Sequence, residues 1–139
     1  MRFWDSSAII ALLVTQSDSE RRYALYQEDA RVAAWWGSRV ECISALQRLR
    51  REGALEPSPA TQALANLDSF FSACNEVAPT EEVRKRAFRL LRLHPLRAAD
   101  ALQLAAALVA SGEEPLSMPL VCSDRRLKAA AEGEGFTVL

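Results

Sequence analysis

The chain has little charge imbalance, little cysteine and almost no histidine, and each scarcity removes a class of protein. Seventeen basic and eighteen acidic residues leave a formal net charge of −1, so the overall balance does not draw the protein to nucleic acid, and such a partner has to be attracted by a local patch. Cys42, Cys74 and Cys122 are odd in number, far apart and never spaced Cys-x-x-Cys. That argues against a disulfide framework and a zinc knuckle, and it suits a reducing cytoplasm. The single histidine, His94, stands just before Pro95 in a basic segment, which leaves histidine-dependent acid–base chemistry little to work with. The apolar run after Asp5, "AIIALLV", is too short to span a bilayer, and an aspartate precedes it where a signal peptide has basic and then hydrophobic residues. No repeat, low-complexity tract or interdomain linker interrupts the 139 residues, which read as one domain, residues 1–139, able to bury about two-thirds of its unfolded surface.

What is present is an alternation of short apolar runs and longer amphipathic ones. "RFW" reads as a first strand that turns at Asp5, followed by a helix over "SSAIIALLV" starting on a serine cap. "SDSERRYALYQED" carries a capping box, Ser17 with Glu20, and "RVAAW" a second strand. "GSRVECISALQRLRREG" is a helix with Val40, Ile43, Leu46 and Leu49 as its apolar stripe and Gly53 as its stop. "EPSPATQALANLDSFFSACN" is a helix with prolines in its first turn, and "EVAP" a brief strand. Two helices follow, "TEEVRKRAFRLLRLH" and "PLRAADALQLAAALVASG". Then come a strand in "MPLVCS", a helix in "DRRLKAAAEGEG" and a last strand in "FTVL". Connections too long for hairpins imply an α/β sandwich, a mostly parallel central sheet of four to five strands with helices on both faces.

Four acids occupy element ends or apolar helix faces in that layout: Asp5 after the first strand, Asp124 after "PLVCS", Glu41 on the third helix and Asp100 within "LRAADALQLAAAL". Each has a structural alternative: Asp5 and Asp124 as helix caps, Glu41 as an exposed helix residue, Asp100 as a partner of Arg97 one turn earlier. In an open parallel sheet, sites collect at the carboxyl ends of strands. Carboxylates gathered there raise one another's pKa unless a cation neutralises them, and oxygen-only ligands suit Mg2+ or Mn2+.

At these residues the sequence resembles the PIN-domain nucleases, and within them the VapC-type toxins of toxin–antitoxin pairs. The blocks that carry the resemblance are "FWDSSAIIALL", "SRVECISALQRL", "LRAADALQLAAAL" and "LVCSDRRLKAAAEGEGF", the last two the most specific, and together they span almost the whole chain. The resemblance implies a PIN-like α/β/α fold, a divalent metal site, metal-assisted hydrolysis of RNA, a homodimer and an antitoxin partner. It marks Asp5, Glu41, Asp100 and Asp124 as catalytic and metal-binding acids, with Asp5 and Asp100 in direct contact with the ion, and Ser6 as a hydroxyl beside the first aspartate. Cys122 departs from the pattern, since threonine or serine is expected two residues before the last acid. Ser123 is the candidate to supply that hydroxyl. RNA is to be drawn by the segment "RKRAFRLLRLHPLR", and Arg97, Arg125 and Arg126 are best placed to hold it near the acids. A PIN-like module that binds RNA or protein without cleaving is the alternative, and the presence of all four acids argues against it. A phosphoryl-accepting domain also uses strand-end aspartates, but "DSSA" lacks the second aspartate such phosphatases need.

Overall fold

The computed structural model describes all residues, 1–139. Four strands, β1 (Arg2–Trp4), β2 (Val32–Trp35), β3 (Asn75–Val77) and β4 (Leu120–Val121), form one sheet in the order β3-β2-β1-β4. Every pairing is parallel, with Phe3 opposite both Ala33 and Leu120. The order reverses at β1: the chain builds outward through β2 and β3, then crosses back to add β4 on the other side of β1. The crevice at such a reversal is where ligands bind in this class of sheet.

Seven helices connect the strands: α1 (Ser6–Leu13), α2 (Ser19–Glu28), α3 (Ser38–Arg51), α4 (Pro57–Ser72), α5 (Glu81–Leu93), α6 (Ala98–Ala110) and α7 (Arg125–Gly133). Strand side chains alternate between two cores, as a period of two requires. Phe3, Ala33, Trp35, Leu120 and Cys122 pack under α5, α6 and α7, whereas Trp4, Val32, Ala34 and Val121 pack under α1, α3 and α4. The outcome is the expected sandwich. None of the helices is long and apolar enough to cross a membrane.

Several local expectations change. The expected last strand is reduced to a single bridge between Val138 and Leu120, so the sheet has four strands. Asp5, rather than a serine, caps α1. Asp18 stands at the N-cap of α2, so no Ser17–Glu20 capping box forms. On α3 the buried residues are Ser38, Cys42 and Leu46, while Val40 and Ile43 are exposed. The face turned inward is mixed: Cys42 and Leu46 enter the core shared with α1 and α4, whereas Ser38 is held by Gln103. Gly37 permits that seat, since a Cβ there would lie 2.4 Å from Trp35 Nε1.

Arg22 ties the edge of the sheet together. It is 4% exposed and spends its donors on the carbonyls of Cys122 and Leu139 (both 2.8 Å) and on Asp18 (3.0 Å). A buried guanidinium with all three nitrogens hydrogen-bonded fixes α2 against the end of β4.

Candidate active site

The carboxyl ends of β1 and β4 deliver Asp5 and Asp124 side by side, each as the N-cap of the helix that follows. Asp5 Oδ2 accepts the Ser7 amide (3.0 Å) and the Ser7 hydroxyl. Asp124 Oδ1 accepts the amides of Arg126 (2.8 Å) and Leu127 (2.9 Å). Such caps stabilise a helix by about 1 kcal/mol. The structural and the functional reading of these aspartates are therefore compatible, because a cap occupies one carboxylate oxygen and leaves the other.

The remaining two acids repeat that arrangement. In the first turn of α3, Glu41 Oε2 accepts the hydroxyl of Ser6 (2.6 Å) and Nε2 of Gln103 (3.0 Å). In the first turn of α6, Asp100 Oδ2 accepts the amide of Arg97 (3.2 Å), and no ion pair joins it to the Arg97 side chain. Asp5 Oδ1, Glu41 Oε1, Asp100 Oδ1 and Asp124 Oδ2 accept no protein hydrogen bond. All four acids line one open pocket of about 340 Å³, and none of them takes part in an ion pair.

Such an assembly is costly by itself. Asp5 is 3% exposed, and its carboxyl is pushed up to about 6, chiefly by burial and then by the Glu41 charge, against the lowering effect of Ser7. Burial, and after it the Asp5 carboxylate, also push up the neighbouring thiols, Cys42 well above the usual range and Cys122 to about 12. Both are neutral, buried and of low reactivity at physiological pH. No three acids converge closely enough to hold an ion by protein ligands alone. The donor set still fits Mg2+ or Mn2+, which are held by one or two carboxylates and keep several waters in an otherwise oxygen-lined site. A larger hollow of about 520 Å³ between α1 and α2 is lined largely by apolar residues and contains none of the four acids.

Ser6, the expected hydroxyl beside Asp5, follows it into α1 and turns its hydroxyl to Glu41 instead. The Ser123 hydroxyl is directed elsewhere: it donates to Asp18 (2.5 Å) and receives Arg22 Nε (3.2 Å), so it braces the turn instead of serving Asp124. The hydroxyl at the first aspartate comes from Ser7, which also accepts the Ser123 amide (2.9 Å). Ser7, Gln103 and Arg48 belong to the site or its support and are missed by the sequence reading: Gln103 meets Glu41 and Ser7 meets the Ser123 amide only across long stretches of chain, and Arg48 enters the lining only through the turn of α3. Half of the expected basic segment is neutralised within the fold, Arg84 by Glu81, Arg86 by Glu82 and Glu113, and Arg89 by Glu134. Arg97, Arg125 and Arg126 are exposed at the starts of α6 and α7, beside the pocket but outside its lining.

A parallel sheet with acids at its order reversal defines a class, and the sequence agrees: residues 2–133 match the PIN domain, and the chain belongs to that family. Over 136 residues, 98% of this chain and 92% of each relative, it is 32% identical to two Mycobacterium tuberculosis proteins, ribonuclease VapC45 of strain CDC 1551 / Oshkosh and ribonuclease VapC49 of strain ATCC 25618 / H37Rv. The fold superimposes with a TM-score of 0.66 on PAE2754 from Pyrobaculum aerophilum, at 25% identity over 99% of this chain and 81% of that one. FitAcB from Neisseria gonorrhoeae gives the same TM-score at 18% identity, covering 100% of this chain and 96% of that one, and shows the shared fold alone.

Proposed function

We propose that this protein is a divalent-metal-dependent ribonuclease of the VapC type that hydrolyses RNA phosphodiester bonds, and that it acts as the toxin of a toxin–antitoxin pair. The observation that carries the reading is the set of four unpaired carboxylates, each with one oxygen fixed by the protein and the other left for an outside cation. Such a layout is unfavourable in a purely structural pocket. A bound Mg2+ or Mn2+ neutralises charge on the phosphate and acidifies water.

This chain's own residues supply position and proton acceptance. Ser7 fixes Asp5, Ser6 and Gln103 fix Glu41, and the α7 cap fixes Asp124, so none has to be ordered when substrate arrives. Asp5 and Asp100 would hold the ion, Glu41 and Asp124 would complete the acidic lining around it, and one of these two would accept the proton released in hydrolysis. The products are a 5′-phosphate and a 3′-hydroxyl. Residues 1–139 act as one unit, because both helical layers pack on the same sheet. An antitoxin protein, a second copy of the chain and a cytoplasmic location complete the assignment, on the strength of the family resemblance. The test is cleavage of a random-sequence RNA pool with Mn2+ and with chelator, followed by end analysis. Metal-dependent cuts bearing 5′-phosphate support the reading, and cuts with 2′,3′-cyclic ends or cuts unaffected by chelator refute it.

A further inference from the structure

An acidic pocket repels the substrate it is meant to cut, so something must hold the RNA phosphate there. The arginines favoured by sequence lie outside the pocket lining. The basic side chain that does line it is Arg48, on α3. It follows Glu41 by seven residues, two helical turns, which places both on the same face. Among the other lining residues every ionisable group is an acid: Asp5, Glu41, Asp100 and Asp124.

Arg48 makes no hydrogen bond and no ion pair through its side chain, in contrast to Arg84, Arg86 and Arg89 on α5, which are tied to glutamates. An arginine beside four carboxylates ordinarily closes on one of them. Here it closes on none of them, although Glu41, Asp100 and Asp124 each keep one oxygen without a protein partner. The guanidinium is left with its five donors free, a planar fork that matches phosphate oxygens.

The placement also gives a direction. Arg48 comes from the helical layer of α1, α3 and α4, whereas Arg97, Arg125 and Arg126 come from the layer of α6 and α7 on the opposite face of the sheet. We infer that Arg48 is the phosphate-binding residue of the pocket, and that a single RNA strand crosses the acids between Arg48 on one flank and Arg97, Arg125 and Arg126 on the other. The inference rests on the ribonuclease reading for the identity of the anion, and the binding of RNA tests it separately from cleavage.

The experiment compares the parent with Arg48→Ala, Arg48→Lys and, as a control on the far surface, Arg84→Ala. Binding of a labelled 20-nucleotide random-sequence single-stranded RNA is followed by anisotropy in Ca2+, and cleavage of the same RNA in Mn2+. Expected for Arg48→Ala is binding weaker by about tenfold, and a log–log salt slope smaller by about 0.7, the share of one phosphate. KM should rise with kcat little changed, and Mn2+ should stabilise the variant against heat as much as the parent. Arg48→Lys recovers part of the binding, because it restores the charge without the fork. Parent-like affinity and salt slope in Arg48→Ala overturn the inference even if cleavage is seen. Lost binding in Arg48→Ala with no cleavage by the parent keeps the inference and overturns the nuclease reading. A variant that fails to gain stability from Mn2+ also overturns it, since Arg48 then acts through the site's structure rather than on RNA.

Discussion

Helix α7 has a carboxylate at each end, and the two are treated in opposite ways. At its start Asp124 shares a pocket with Asp5, Glu41 and Asp100 and meets no cation. At its close Glu134 lies between Arg89 and His94, 2.7 Å from His94 Nε2. Burial alone would raise the Glu134 carboxyl, but Arg89 and His94 outweigh it and hold the group below its usual range. Asp5, in the other environment, is raised to about 6. The same functional group is completed by the protein at one end and left incomplete at the other, and incompleteness is what an ion-binding site requires.

The comparison breaks most visibly in activity. Asp5→Asn, which keeps the helix cap because asparagine caps as well as aspartate, should lower RNA cleavage by at least about a hundredfold. Glu134→Gln should leave the rate at the parent's level. Single-turnover cleavage of the RNA pool measures both.

Thermal unfolding sharpens the contrast next. With Mn2+ at about a hundred times its Kd, the parent and Glu134→Gln should each gain roughly 8 °C in Tm, and Asp100→Asn should gain almost nothing. In chelator the order changes: Asp100→Asn should be at least as stable as the parent, its repulsion relieved.

The pH dependence of the chelated protein should run in opposite directions for the two ends. The folded pKa of Asp5 lies above its ordinary 3.8, at about 6, so its contribution to stability is fully present below pH 3.8 and lost as pH rises through 6. The ionised form carries a cost of about 3 kcal/mol, and parent and Asp5→Asn should diverge by up to that amount between pH 4 and 7 in denaturant titrations. Glu134 is lowered, so its contribution is present above its ordinary pKa and lost as pH falls through the folded value. Glu134→Gln should therefore be destabilised at neutral pH and indistinguishable from the parent in strong acid. The loss at neutral pH is the smallest effect, about 1 kcal/mol, because Arg89 is half exposed and solvent screens its pairing.

The four acids were legible because a carboxylate directly after an apolar strand, or inside an apolar helical run, is a local anomaly. Asp5 and Asp124 stand at chain reversals that the strand pattern itself marks, and Asp100 interrupts a run of alanine and leucine. The support of the site was not legible in the same way. Gln103 reaches Glu41 across 62 positions, and Ser7 reaches the Ser123 amide across 116. The stripe on α3 was misassigned for a related reason. Periodicity searches for apolar residues, whereas this helix turns Ser38 and Cys42 inward and leaves Val40 and Ile43 outside. Charge was the least readable property. The arginines of α5 look available in sequence, yet three of them are committed to glutamates on the same helix or on distant segments.

The all-parallel sheet has a consequence for how the protein comes into being. Strands β1 and β4, which bring Asp5 and Asp124 together, are neighbours in space but are separated by nearly the whole chain. A ribosome adding about 5 to 20 residues per second makes Asp5 first and reaches Asp124 only some 119 positions later, roughly 6 to 24 seconds on. Until β4 docks against β1 the nascent chain holds at most three of the four acids, and the pocket is incomplete. The pocket that the four acids line therefore closes only in a single late step of the chain's formation.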